Sequence, residues 1–534
     1  MSSPAIKLLT ASVVLCFGCA SFAANQTINT DLVVVGAGSA GLSAAVQGAE
    51  LGKKVVLLEK NPYVGGNSQH AEGLFAVDSE WNRLRSDPLT RQQAYEAFIK
   101  KQNHLVDPYK NKDFVEGSGE NISWLASHGI EFEVRRETPD KDNTWHIIKN
   151  YKGTNHGAGL IKGMKDAADK LGVTTMVSTP ATDLITKDGK VVGVVAKDAK
   201  GNTYTINSKA VILASGSFGD DPQKVKEWGH RDPEGWKSSV PINKTGDGIV
   251  MATKIGAERG PVSFIGHLGT EGKGIKFLSN LYAVSWQPFN LWVNSDGQRF
   301  TDESTSNAFS EAANGIYAQH DHYGWAIFDT NTIDYCMTKG IDSGIGVLVP
   351  VGTQLKNLQQ DIKDALAVDS DGFKEADSIA ELAKKINVPA KNLEATVAEY
   401  NKTCELQHDP MFLKDRRYLK PINGKEYYAL KLKSYFFSAY GGLVTNRQHQ
   451  VLDTHHKPIP GLYAAGLEVS NMVGPTYPDF FSGHAFGFAS YSGRHAAINA
   501  AETMKKSLYS PFESIIVCPG FLYEIRAFLS YNNL

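Results

Sequence analysis

Cysteine is scarce in this chain of 534 residues, with only five present. Cys16 and Cys19 lie in an apolar run near the N-terminus, and Cys336, Cys404 and Cys518 are far apart and odd in number. They draw no disulfide framework. Cys16 and Cys19 form the chain's one C-x-x-C; outside that N-terminal run there is no C-x-x-C and no His/Cys cluster, which excludes the usual zinc and iron–sulfur spacings there. There is no C-x-x-C-H, so no c-type haem is attached. A metal is therefore not expected, and the mature chain carries at most a soluble organic cofactor. Charge of either sign is also nearly absent in the balance, −2 at pH 7 from 55 Lys+Arg and 57 Asp+Glu. Nothing in it suggests nucleic acid or an anionic membrane surface as a partner. No run reaches the roughly 20 apolar residues of a transmembrane helix, so an integral membrane protein is not expected.

Residues 1–24 stand apart from the fold. Lys7 is followed by the apolar run from Leu8 to Phe17, and small residues lead to Ser21, Phe22 and Ala23. This reads as a secretory signal peptide cleaved near Ala23 or Ala24, placing the mature protein in the periplasm or outside the cell. The weaker alternative is a lipoprotein signal ending at Cys19, which Cys16 in place of Leu or Val disfavours.

Glycine, in contrast, is abundant at 50 residues. Three of them organise the chain. Gly36, Gly38 and Gly41 stand in G-x-G-x-x-G spacing between the apolar run Leu32 to Val35 and an Ala-rich helical stretch opening at Ser39 and Ala40. Gly36 permits the tight turn, Gly38 lets a pyrophosphate approach bare backbone, and Gly41 lets helix and strand pack closely. A second strand from Lys54 ends in Glu59, about twenty residues past the glycines, where a ribose hydroxyl needs a carboxylate. Past Lys60, Gly65 and Gly66 again permit close approach, and Asn67 and Ser68 offer hydrogen bonds.

These motifs together, with the Ala71-x-Gly73 that follows, resemble the flavoproteins that include fumarate reductase flavoprotein subunits, flavocytochrome c and 3-ketosteroid dehydrogenases. The resemblance covers about 31–505 through at least six spaced motifs. It implies FAD held by these loops, an α/β (α+β overall) fold with a Rossmann-like FAD-binding domain and a β-meander, and an inserted α+β cap. Members with covalent FAD use a His of this loop. Its place falls near Ser68 and not at His70, so non-covalent FAD is expected.

The remaining chain is read in order. Helices are expected from Pro88, up to Gly129, and from Gly157 to Gly172. Period-two runs flank Asp188-Gly189, a hairpin signal, with another strand from Thr203. By resemblance the meander leaves the sheet near Ala181. It returns to FAD at Ala214, Ser215 and Gly216, and Asp247 opens a further cofactor loop. Domain limits follow: 25–262 for the first part of the FAD domain, 263–435 for the cap, 436–505 for its second part, and an atypical apolar tail over 506–534. In the cap, a hairpin turns at Asp296-Gly297, Arg299 and Glu303 read as structural partners, and 374–402 reads as helical. Gly466 and Leu467 end a strand at the cofactor. A small-residue helix near Ser482, Ala485 and Phe486 would face the flavin pyrimidine and stabilise negative charge there.

The substrate positions depart from the fumarate reductase pattern. The acid arginine is absent from Phe328 to Ile333, the carboxylate-binding motif is replaced around Thr476 to Gly483, and the relay Glu and Arg fall near Ala283 and Trp286. His267 stands at the first substrate histidine. Arginines clamp carboxylates in pairs of bonds, so fumarate is not expected. Tyr282, Trp286, Tyr440, Tyr477, Phe480 and Phe481 offer an aromatic wall instead, about half of it core. The run Met472 to Pro478 is similar to the T-Y-P region of 3-ketosteroid dehydrogenases. That similarity implies Tyr477 as a ketone-polarising donor, with Gly483 as a backbone donor and Tyr440 as a proton-transferring partner. The expected activity is reduction of an activated C=C bond in a small enoate- or enone-type substrate, using a separate periplasmic electron donor such as a c-type cytochrome. Dehydrogenation beside a ketone and a non-catalytic flavin-binding or assembly role are the alternatives.

Overall fold

The computed structural model describes residues 25–138 and 141–509. The expected signal peptide with its cleavage site, Cys518 and the tail from 510 onward lie outside the described residues.

Strand β1 (Leu32–Val35), helix α1 (Ser39–Glu50), strands β2 (Val55–Leu58), β3 (Thr174–Met176), β4 (Ala210–Leu213), β5 (Gln450–Leu452) and β6 (Pro458–Ala464), and helix α2 (His484–Tyr509) build the central layer. The sheet order is β5-β6-β4-β1-β2-β3. Strands β6, β4, β1, β2 and β3 are parallel, and β5 is antiparallel at the edge. Every residue of β1, β2 and β4 is buried, as expected of strands covered on both faces. The chain order reverses between β1 and β4. Ligands of such sheets bind at this switch point, outside the carboxyl ends of the strands.

Helices α1 and α2 cover one face. Their small residues let the backbones touch: a Cβ on Gly493 would lie 2.0 Å from the Ala40 carbonyl oxygen. Ser43 Oγ and Ser490 Oγ meet across the same contact at 3.2 Å. The expected meander forms a second sheet of Asn25–Asn29, Thr203–Asn207, Lys190–Lys197 and Ala181–Lys187. Its hairpin turns at Asp188 and Gly189, whose φ values of 50° and 73° suit the primed turn that strand twist favours.

The cap is organised by one long strand, Tyr427–Leu443, which pairs with Arg259–Thr270, Tyr323–Asp329, Phe373–Ala376 and Trp236–Ser238. The expected limits at 262/263 and 435/436 fall inside Arg259–Thr270 and Tyr427–Leu443, so two paired strands carry the chain between the layers. The segment expected to be helical over 374–402 begins as strand Phe373–Ala376, because Phe373 and Ala376 bury against that long strand. Helices Ile379–Lys385 and Ala390–Leu406 follow. The pair Arg299 and Glu303 is structural as expected. Two bonds of 2.9 and 2.8 Å join them, Arg299 also reaches Asp409 at 2.8 Å, and Lys414 Nζ lies 3.1 Å from Glu303. Among the described residues no helix is long and apolar enough to cross a membrane.

Candidate active site

The carboxyl ends of β1, β2, β4 and β6 converge on the N-terminus of α1. Gly36 has φ +100°, and a Cβ there would lie 2.3 Å from the Ala214 carbonyl oxygen. A Cβ on Gly41 would lie 1.7 Å from the Gly36 carbonyl oxygen. Neither position admits a side chain. Gly38 is different: a Cβ there would approach nothing closer than 3.7 Å, so its bareness leaves room above the turn. Gly65 bridges to Gly38, and its N–H donates to the Ala37 carbonyl at 2.8 Å. Gly65 and Gly66 both adopt positive φ, 121° and 49°. Ser68 Oγ accepts the Ser39 N–H at 3.2 Å.

Glu59 is buried at the end of β2. Its Oε2 accepts the Ala37 N–H at 2.9 Å, and its Oε1 accepts the Asn61 N–H at 2.8 Å. The Thr179 N–H donates to the Glu59 carbonyl at 2.9 Å, which brings the segment leading into Ala181 beside it. Lys60 Nζ reaches across to Thr245 Oγ1 at 2.6 Å and Asp247 at 2.7 Å. Gly466 lies beside Ala40, and its N–H donates to Ser492 Oγ at 2.8 Å. Leu467 occupies the same 3₁₀ turn, Gly466–Glu468. The Gly157 N–H donates to the Ala71 carbonyl at 2.7 Å, and Gly73 packs with no room for a Cβ against the His146 carbonyl.

Ser39 Oγ and Asn67 Oδ1 are buried without a hydrogen-bond partner, next to the open Gly38 turn. Buried orphan polar atoms on a glycine cradle at a helix N-terminus suit a pyrophosphate-bearing ligand. The residues present therefore fit FAD.

A second cleft opens between this layer and the cap. Glu137, Trp145, Ile265, Gly266, Phe309, Phe437, Tyr477, Asp479, Phe481, Ser482 and Gly483 line it, with no arginine among the described residues. Tyr477 and Gly483 thus share one wall. Tyr477 Oη accepts the Ala485 N–H at 2.9 Å from the first turn of α2. That bond leaves the phenolic proton free to be donated. Burial pushes the Tyr477 hydroxyl up, so it stays protonated at neutral pH. Gly483 has φ +85°, and its carbonyl accepts the Phe75 N–H at 2.9 Å. Phe486 is buried behind it, in the first turn of α2.

Tyr440 is buried behind the wall, with its ring centroid 6.5 Å from that of Tyr477 and its hydroxyl without a partner. His267 does not line the cleft; its neighbours Ile265 and Gly266 do. Its Nδ1 meets the Leu268 carbonyl at 2.8 Å, its Nε2 meets Ser239 Oγ at 2.9 Å, and burial lowers it to about 4. Tyr282 and Trp286 belong to the cap core.

Four groups were not singled out from sequence. Glu137 is held by Lys141 Nζ at 2.6 Å and by the Ser482 hydroxyl at 2.6 Å. Asp479 Oδ2 accepts the Ser310 N–H at 2.6 Å, and burial pushes its carboxyl up to about 7. Glu468 is fully buried under the cofactor loops. His484 sits within an aromatic box of Phe98, Phe114 and Tyr440, with both ring nitrogens unpartnered; burial holds it near 3, so it is neutral. Asp479 could have been found two positions after Tyr477. Glu137 and Glu468 carry no local signal.

The fold and the cradle define a flavin-dependent oxidoreductase. The chain belongs to the FAD-binding family, whose FAD binding domain matches residues 31–479. A vinyl phenol reductase of Lactiplantibacillus plantarum is 33% identical over 90% of this chain and 98% of its own length. A urocanate reductase of Eggerthella lenta is 30% identical over 84% of this chain and 71% of its own. Among solved structures, a 3-ketosteroid delta1-dehydrogenase from Sterolibacterium denitrificans matches in fold with a TM-score of 0.73 at 21% identity, over 89% of this chain and 100% of its own. The chain is thus an FAD-dependent oxidoreductase acting on C=C bonds.

Proposed function

We propose that this protein is an exported reductase of a C=C bond conjugated to an aromatic ring, with Tyr477 as the proton donor. One observation carries the reading: the cleft that holds Tyr477 has aromatic walls, Trp145, Phe309, Phe437 and Phe481, and no arginine among its described lining. Such a wall suits a flat aryl group and offers no clamp for a dicarboxylate. The aryl-alkene relatives named above agree with it.

Bound FAD supplies the hydride. The chain's own residues do the rest. The cradle around Gly38, Ser39, Glu59 and Asn67 holds the cofactor without a covalent bond. The first turn of α2 orients the Tyr477 hydroxyl through the Ala485 N–H. A donor so placed is worth roughly a hundredfold or more in rate. Electrons come from a separate periplasmic carrier such as a c-type cytochrome, and residues 1–24 direct export.

The test is reduction of a panel of aryl alkenes, enones and unsaturated acids by purified holoenzyme with reduced viologen. Aryl alkenes are expected to be reduced, and fumarate not. Tyr477→Phe is expected to keep the flavin absorbance and lose about a hundredfold in kcat. An enzyme inert across the panel sinks the reading. The T-Y-P sequence of Tyr477 favours the second reading, dehydrogenation beside a ketone; oxidation of a saturated ketosteroid with a dye acceptor would select it.

A further inference from the structure

We propose that the substrate carries a hydroxyl on its aromatic ring, conjugated with the C=C bond, and that Asp479 takes the hydroxyl proton while Tyr477 protonates the terminal carbon. The inference rests on the reduction proposed above.

Asp479 and Tyr477 are two residues apart on one loop and line the same cleft. The Asp479 N–H donates to the Tyr477 carbonyl at 2.9 Å, which fixes their relation. Asp479 Oδ2 is held by the Ser310 N–H of the cap at 2.6 Å. The other carboxylate of the cleft, Glu137, is occupied by Lys141 and Ser482. Among the described residues Asp479 has no ion-pair partner. A half-buried carboxylate with no ion pair of its own, in a cleft without arginine, prefers a substrate that donates a hydrogen bond; the nearest cationic influence on it is Lys141, which is paired with Glu137. Its raised carboxyl, near 7, narrows the gap to a phenol at about 10 and suits a general base.

The chemistry requires such a base. A vinyl group on an electron-rich ring has no carbonyl to accept hydride. When Asp479 takes the phenolic proton, the O–H bond breaks and its electron pair moves through the ring and the C=C bond to the terminal carbon. That carbon forms a C–H bond with the proton of Tyr477. The product is a neutral quinone methide, an isomer of the substrate, with Tyr477 reprotonated from solvent. Its benzylic carbon accepts the hydride that reduced FAD supplies, and the resulting phenolate recovers the proton from Asp479. In total the alkene gains one hydride and one proton.

The first half needs no reductant, so it can be read without turnover. Holoenzyme with oxidised flavin is incubated with 4-vinylphenol in D₂O, and deuterium in the terminal CH₂ is measured by NMR. Exchange is expected with the native protein and about a hundredfold slower with Asp479→Asn, which keeps an acceptor for the Ser310 N–H. Asp479→Glu is expected to retain partial exchange. 4-Methoxystyrene is expected not to exchange and to be reduced about a hundredfold more slowly than 4-vinylphenol. Absence of exchange in the native protein, unchanged exchange in a flavin-loaded Asp479→Asn, or equal reduction of the two alkenes overturns the proposal. If the variants lose flavin, the native exchange and the comparison of the two alkenes still decide. Equal reduction leaves aryl-alkene reduction standing, whereas an enzyme that reduces no alkene sinks that reading instead.

Discussion

Glu468 and Gly216 are joined across the ends of β6 and β4: the fully buried Glu468 accepts the Gly216 N–H on Oε1 at 2.9 Å. The contact ties two cofactor loops that are far apart in the chain. Its other oxygen, Oε2, has no partner, as a carboxylic acid beneath a glycine loop can tolerate more easily than a carboxylate.

Burial pushes the Glu468 carboxyl up to about 8, although the Ser215 hydroxyl and the Gly216 N–H pull it down. The folded protein therefore keeps a proton that the unfolded chain releases near 4.5. Stability from this group is full below about 4.5 and is lost as pH rises through about 8. Glu468→Gln removes the titration. The difference in Tm between the native protein and Glu468→Gln is expected to move against the native protein across that window. A flat difference by calorimetry would show that Glu468 does not titrate there.

The glycine cradle makes a sharper demand. Gly41→Ala would drive a Cβ to 1.7 Å from the Gly36 carbonyl. The α1 helix must then move off β1, and the pyrophosphate position with it. Loss of flavin absorbance and a lowered Tm are expected. Gly52→Ala is the control: Gly52, unlike Gly41, has positive φ, but nothing lies within 4 Å of a Cβ there. It should cost about 1 kcal/mol and keep the flavin.

The cradle was legible because its signals are local. Gly36, Gly38, Gly41 and Glu59 sit at spacings that one turn and one strand impose, and the Asp188-Gly189 hairpin needs only its own residues. Of the cleft, the run around Tyr477, Phe481, Ser482 and Gly483 was legible by resemblance, but its carboxylates were not, because their partners are assembled across the chain. Glu137 meets Ser482, Asp479 meets Ser310, and Glu72 meets the Val347 N–H of the cap at 3.2 Å. None of these pairs shares a period or a motif. The aromatics misled for a related reason. The T-Y-P similarity set Tyr477 apart, whereas Tyr282 and Trp286 stood only as members of an aromatic wall, and packing shows those two to be core residues.

Tyr440 tests whether a buried hydroxyl is kept for work. Its Oη is buried without a partner, and burial holds it protonated. Leaving a polar group unsatisfied costs about 1–3 kcal/mol, so Tyr440→Phe should raise Tm. If Tyr440 also passes protons to Tyr477, the same variant loses rate while gaining stability. A fall in Tm would show that the hydroxyl has a partner in solution.

The cap depends on a buried charge network whose failure has a pH signature. Glu303 accepts two bonds from Arg299, one from the Trp292 N–H at 3.1 Å, and faces Lys414 Nζ at 3.1 Å. Lys414 also donates to the Asn290 carbonyl and to Tyr400, and burial lowers its ammonium from the ordinary value. Two cations face two anions, Glu303 and Asp409. Glu303→Gln keeps the shape and removes one anion. Breaking one partner of a buried pair costs about 3–5 kcal/mol, because the remaining charge is stranded. In the variant, Lys414 keeps its depressed ammonium and loses the attraction that opposed the depression. The unfolded chain then binds a proton that the folded chain gives up, so the stability of Glu303→Gln should recover as pH rises toward 10.5. Denaturant unfolding at two pH values reads this directly. A loss that is the same at both values would mean that packing around Glu303, rather than the stranded ammonium of Lys414, carries the effect.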